Sequence, residues 1–154
     1  MAMDALWYLR YRRGGGQQYP LNWEFSGELE KWEDASAPGQ VGKLLLERLL
    51  GHEAPDSWAR STQNAMHWAM GIGWSAQFGF VMRLTRRSSW AWGLAFGPVV
   101  WLSSYLVLPL MKIYKPIWRY DAKALTQDLS AHLVYGLTAA TVFAAMARHI
   151  GHRG

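Results

Sequence analysis

Charged residues in this chain fall in blocks, and the gaps between the blocks carry the first message. Between Arg60 and Arg83 there is no Asp, Glu, Lys or Arg for 22 residues (61–82). The same holds for 24 residues between Arg87 and Lys112 (88–111), and for 19 between Asp128 and Arg148 (129–147). A helix rises ~1.5 Å per residue and a bilayer's hydrocarbon core is ~30 Å thick, so about 20 such residues cross it. A buried helix of a soluble domain is usually shorter and keeps a charged face. The pattern therefore predicts three transmembrane helices, near 61–83, 88–111 and 128–148. Trp58, Trp68, Trp90, Trp92, Tyr114, Trp118 and Tyr120 stand near the ends of the runs. Amphipathic rings favour the headgroup level, where the apolar body and the N–H or O–H are both accommodated. In the second run, Pro98 is expected to bend the helix and Pro109 to close it.

The upstream part has a different pattern. Met1 to Leu9 is apolar apart from Asp4, and Arg10, Arg12, Arg13 and three glycines follow. Nine residues cannot span a bilayer and have no signal-peptide layout. They read either as the last turns of a transmembrane helix or as a short interfacial anchor. Gly14–Gly16 break the chain. Asn22 to Asp34 has an imperfect helical face of Trp23, Phe25, Leu29 and Trp32. Ala35 to Gly39 reads as a loop. Val41 to Leu50 forms a helix with Val41, Leu44, Leu45 and Leu49 on one side and Gly51 as C-cap. Asp56 or Ser57 then caps the first span. The expected organisation is an N-terminal stub and glycine break (1–16), an acidic helical extramembrane segment (17–57) and a three-span bundle (58–154).

Charge follows the same division. Residues 21–60 hold eight acids and four bases, net −4; residues 61–154 hold nine bases and two acids, net +7. The bases flank the runs, where they anchor the chain and meet anionic lipid, so the net charge of +5 does not point to nucleic acid. On the one side Arg48, Arg60, Lys112, Lys115, Arg119 and Lys123, and on the other Arg83, Arg86, Arg87, Arg148 and Arg153, are too evenly divided to fix the orientation.

The chain has no cysteine, which excludes disulfides, thiolate metal sites and cysteine nucleophiles. No carboxylate lies inside a run, and no nucleophile or phosphate-loop motif occurs. The sequence assigns no catalytic residue, no cofactor and no metal, and it reads as non-enzymatic. Ser75, Gln77 and Ser104 are the polar side chains that a transporter or channel subunit would use to line a path.

His67 and His132 are the ionisable side chains within the runs. His67, Gly71, Phe78 and Arg83 match His132, Gly136, Phe143 and Arg148 at one constant offset. The spacing places each histidine above a glycine and a phenylalanine on one face, on two helices of the same direction. Three roles fit them: interfacial or packing residues, a pH-responsive pair meeting across Gly71 and Gly136, or bis-histidine haem ligands. Small residues recur at packing spacing, with Gly93 and Gly97 in the second run, Gly71 and Gly73 in the first and Gly136 in the third. In lipid such stripes bring backbones close, within one chain or in a dimer. The partners expected are the bilayer and, through these stripes, a second copy or the subunits of a membrane complex.

Two segments carry a family resemblance: His132-Leu-Val-Tyr-Gly-Leu-Thr-Ala-Ala-Thr141, and Ala2-Met-Asp-Ala-Leu-Trp-Tyr8 with the arginines after it. They resemble the YagU-like family of small bacterial inner-membrane proteins. The resemblance implies a multi-pass protein of the inner membrane, with a further span upstream whose last turns are Met1 to Leu9. It also implies a link to acid resistance, with which a histidine pair is compatible.

Overall fold

The computed structural model describes residues 1–85 and 90–151. The start of the second apolar run, Arg86 and Arg87, His152 and Arg153 lie outside them. The described residues are mostly helical, with no strand among them. Six α-helices run α1 (Ala2–Arg13), α2 (Pro20–Glu24), α3 (Ala37–Leu50), α4 (Ala59–Thr85), α5 (Trp90–Leu110) and α6 (Ala122–Gly151). Short 3-10 turns stand at Trp32–Asp34, Asp56–Trp58 and Ile117–Arg119.

The three long helices follow the apolar runs. α5 continues through Pro98 and ends one residue after Pro109. There the chain reverses through Lys112 at φ 59, with Ile113 N–H and Tyr114 N–H both donating to the Leu108 carbonyl. α6 begins at Ala122, six residues before the expected span, because Asp121 Oδ1 accepts the Ala124 N–H at 2.7 Å and caps the helix.

α5 and α6 pack antiparallel through glycine. A Cβ added at Gly93 would lie 2.5 Å from the Gly136 carbonyl oxygen; one added at Gly97 would lie 2.3 Å from that of His132. The small residues let the two backbones touch, which is how helices associate without a hydrophobic drive. α4 also packs on α6 and runs in its direction, with Phe78 against Phe143 at 6.3 Å between ring centres. Phe78, Met82 and Ala140 are buried there, with Phe96 of α5 at 4.7 Å from Phe78.

The segment before α4 has a core of its own. Trp32 is buried at 3 % exposure among Ala54, Ala59, Leu29 and Leu46. Its indole N–H is shared between the Ala54 and Pro55 carbonyls, at 2.9 and 3.0 Å. The expected face over 22–34 is not one helix. α2 stops at Glu24 because Ser26 adopts φ 49 and turns the chain back. The stretch read as a loop at 35–39 instead opens α3, since Pro38 sits in the first turn, where its fixed φ favours a helix start. Gly51 closes α3 at φ 73, the left-handed conformation expected of it.

α3 rests on the first turns of α4. A Cβ at Gly42 would meet Thr62 and Met66, and buried Gln63 accepts the Gly39 N–H at 3.1 Å while donating to Ser36 Oγ. The start of α4 is therefore built for contact with the segment that precedes it.

Two helices among the described residues are long and apolar enough to cross a membrane: Trp90–Leu110, with mean hydropathy 1.6, and Ala122–His149, with 1.5. α4 has the length but not the apolarity. Gln63, Asn64, His67, Ser75 and Gln77 are not Asp, Glu, Lys or Arg, so they leave the run unbroken while lowering its hydropathy.

Candidate functional site

α1 lies against both α4 and α6. Arg10 fixes its C-terminal end: Nη1 donates to the Gln127 carbonyl at 2.7 Å and Nη2 to Ser130 Oγ at 2.6 Å. One face of the helix carries Asp4 to His67 of α4, with Oδ1 and Nε2 3.2 Å apart. The second carboxylate of this neighbourhood, Glu24, ends α2.

Three tethers place Glu24. Trp23 stacks with Tyr8 and Tyr11 of α1, at 5.5 and 6.0 Å between ring centres. The Tyr11 hydroxyl accepts the backbone N–H groups of Gln17 and Gln18, and the Tyr8 hydroxyl donates to the Gln18 carbonyl. On the other side, Asn64 of α4 donates to the Phe25 carbonyl at 2.9 Å. Glu24 is thus held between a residue docked on α1 and one docked on α4. Asp4, Glu24 and His67 offer one ligand atom each within 4.8 Å of one another, a set able to hold a metal ion.

Electrostatics separate the two acids. The hydrogen bond from His67 holds the Asp4 carboxyl well below the usual carboxylate range. Burial, and next the charge of Asp4, push Glu24 up. Asp4 Oδ2 also accepts from the Met1 ammonium. Glu24 Oε1 is buried with no hydrogen-bond partner.

Asp4 and His67 stand at the end of a groove of about 570 Å³ between α4 and α6. Gly71, Ile72, Ser75, Gly79, Tyr135 and Phe143 line it. The Tyr135 hydroxyl bridges the helices, donating to the Gly71 carbonyl at 2.7 Å and lying 2.8 Å from Ser75 Oγ. A Cβ at Gly71 or Gly73 would meet nothing within 4 Å.

The two histidines take different partners. His132 Nδ1 is 3.0 Å from the Asp128 carbonyl and 3.4 Å from its Oδ1, one turn back on the same helix. Asp128 also accepts the Tyr105 hydroxyl at 3.0 Å, beside the rings of Tyr114 and Tyr120. Gly71 and Gly136 share no groove, because Gly136 is closed against Gly93 and Gly97 of α5 while Gly71 faces Tyr135. The structure thus gives the two histidines different partners, Asp4 and Asp128, in place of a contact across these glycines: the matched spacing fixes a face on each helix, but not which neighbour that face meets.

The polar side chains of the channel reading also go separate ways. Ser75 meets Tyr135, exposed Gln77 donates to the Gly73 carbonyl, and Ser104 donates to the Val100 carbonyl of its own helix. Sequence reasoning missed Glu24 altogether. For Asp4 the signal was present, as the single acid in an otherwise apolar opening stretch.

Compared with known protein families, curated proteins and solved structures, the chain finds no match.

Proposed function

We propose that the chain is a non-catalytic, multi-pass protein of the inner membrane, held by three spans, with α4 the first of them. The observation that supports this most is the outward facing of its apolar helices. Only 22 % of the apolar window in α5 and 17 % of that in α6 is buried within the chain. A core helix of a soluble protein hides such a surface, whereas Val99, Leu102, Leu106 and Val107 of α5 and Val142 and Met146 of α6 are exposed. Lipid is the partner that fits a surface of this size and chemistry.

α4 joins them by position. Its Ser75, Phe78 and Gly79 lie along Tyr135 and Phe143 of α6, so that part of α4 shares the depth of a helix apolar enough to cross. Ile72, Phe80, Val81 and Leu84 of α4 also face outward. Its polar residues Gln63 and Asn64 lie at the end that meets the extramembrane segment. From Ala65 to Met82 there remain 18 residues without Asp, Glu, Lys or Arg, ~27 Å of helix against a core of ~30 Å. The exposed Trp58 and Trp118, and Trp90 beyond the other end of α4, suit the two headgroup levels.

Extraction of membranes with alkaline carbonate checks this reading. The protein is expected to stay entirely in the pellet and to come out only with detergent. Release into the carbonate supernatant contradicts the proposal.

A further inference from the structure

We propose that Asp4, Glu24 and His67 form a binding site for one divalent first-row transition metal ion, with zinc as the reference case. Three elements distant in the sequence bring one oxygen, one oxygen and one imidazole nitrogen within 4.8 Å of one another. Among the described residues no lysine or arginine pairs with either acid. Asp4 is matched by the Met1 ammonium and by His67, but Glu24 Oε1 has no hydrogen-bond partner.

The second observation is the buried Oε1 of Glu24, which has no donor. A buried carboxylate oxygen without a partner is costly, and the fold holds it there through Trp23 and Phe25. A cation bound by all three side chains supplies the missing partner. It also offsets two negative charges brought together in a partly dry place.

The donor set selects the class of ion. One imidazole nitrogen with two carboxylate oxygens suits zinc, manganese(II) or iron(II). Calcium and magnesium prefer oxygen throughout. Three protein ligands leave a coordination position open to water. Asp4 and His67 both line the end of the α4–α6 groove, so that position has space beside it. The ion would tie α1 and α2 to α4 at the point where the extramembrane segment meets the bundle.

Calorimetric titration of zinc chloride into the full chain, detergent-solubilised and stripped with chelator, tests the proposal. It is expected to show one ion per chain and a rise in melting temperature on binding, because an ion that binds only the folded state stabilises it. Asp4→Asn, Glu24→Gln and His67→Gln should each weaken binding by at least ~10-fold, as loss of a ligand costs no less than loss of its support. His132→Gln and Asp128→Asn, at the other histidine–aspartate contact, should leave the affinity unchanged. Glu24→Gln is nearly isosteric. A Glu24→Gln protein that melts like wild type without metal but loses the zinc-induced rise separates a lost ligand from a lost fold. The proposal is overturned by an absence of saturable binding, by binding indifferent to all three substitutions, or by displacement of zinc by equimolar magnesium.

Discussion

Gly97→Leu is expected to destabilise the detergent-solubilised protein by about 3 kcal/mol, the upper end for an overpacked contact. The side chain has nowhere to go. A Cβ at this position would lie 2.3 Å from the His132 carbonyl oxygen, 2.8 Å from its carbon and 3.1 Å from the Leu133 Cα. All three are backbone atoms of α6, so relief requires moving the helices apart. That separation also opens the contact of Gly93 with Gly136, where a Cβ on either would stand within 2.5 Å of the other's carbonyl oxygen. Gly71→Ala and Gly73→Ala are the matched controls, since a Cβ there meets nothing within 4 Å. They should be neutral or stabilising by up to ~1 kcal/mol, because alanine is the better helix former. Denaturation of the purified proteins in graded SDS reads all three. Equal behaviour of Gly97→Leu and Gly73→Ala would show that α5 and α6 do not meet through glycine.

The second large effect belongs to the other core. Trp32→Ala removes the side chain around which Ala54, Ala59, Leu29 and Leu46 gather. Truncating a buried tryptophan costs about 3–5 kcal/mol. The loss also leaves the Ala54 and Pro55 carbonyls without the indole N–H they share. Trp32→Phe keeps the ring and loses only the donor, so it should fall between wild type and Trp32→Ala. The damage should be local, because this cluster sits apart from the one at Phe78, Met82 and Ala140. Limited proteolysis is expected to cleave faster between residues 17 and 57 in Trp32→Ala while the α5–α6 fragment survives as in wild type. Equal loss of both regions would mean that the two cores unfold together.

What the sequence reveals here depends on the range of the interaction. Local signals are clear in it. Gly51 closes α3 because a left-handed residue is needed there, and the spacing of Gly93 and Gly97 marks a face for close approach. The first turn of α3 was equally local, and Pro38 signals it, yet the surrounding small residues imitate a loop. Charge-free runs located the long helices, of which α4 is less apolar than the other two, because absence of charge is not apolarity. The fates of His67 and His132 depend on which helix each face meets, a tertiary choice that periodicity does not encode. His132 and Gly136 turn toward α5, while His67 meets Asp4 of a helix that begins the chain. Glu24 enters the cluster through Tyr8, Tyr11 and Asn64, contacts between segments that no spacing rule connects.

In the proposed topology α4 crosses the membrane along with α5 and α6. The absence of native cysteine makes it directly measurable. His52→Cys, between α3 and α4, and Lys115→Cys, between α5 and α6, each introduce one thiol. An impermeant maleimide is then added to sealed membrane vesicles of known orientation. Three spans place the two positions on the same side, since α4 and α5 both lie between them, and the two thiols should be labelled together or protected together. Labelling of one with protection of the other, reversed in vesicles of opposite orientation, would leave α5 as the only crossing between them and contradict the account.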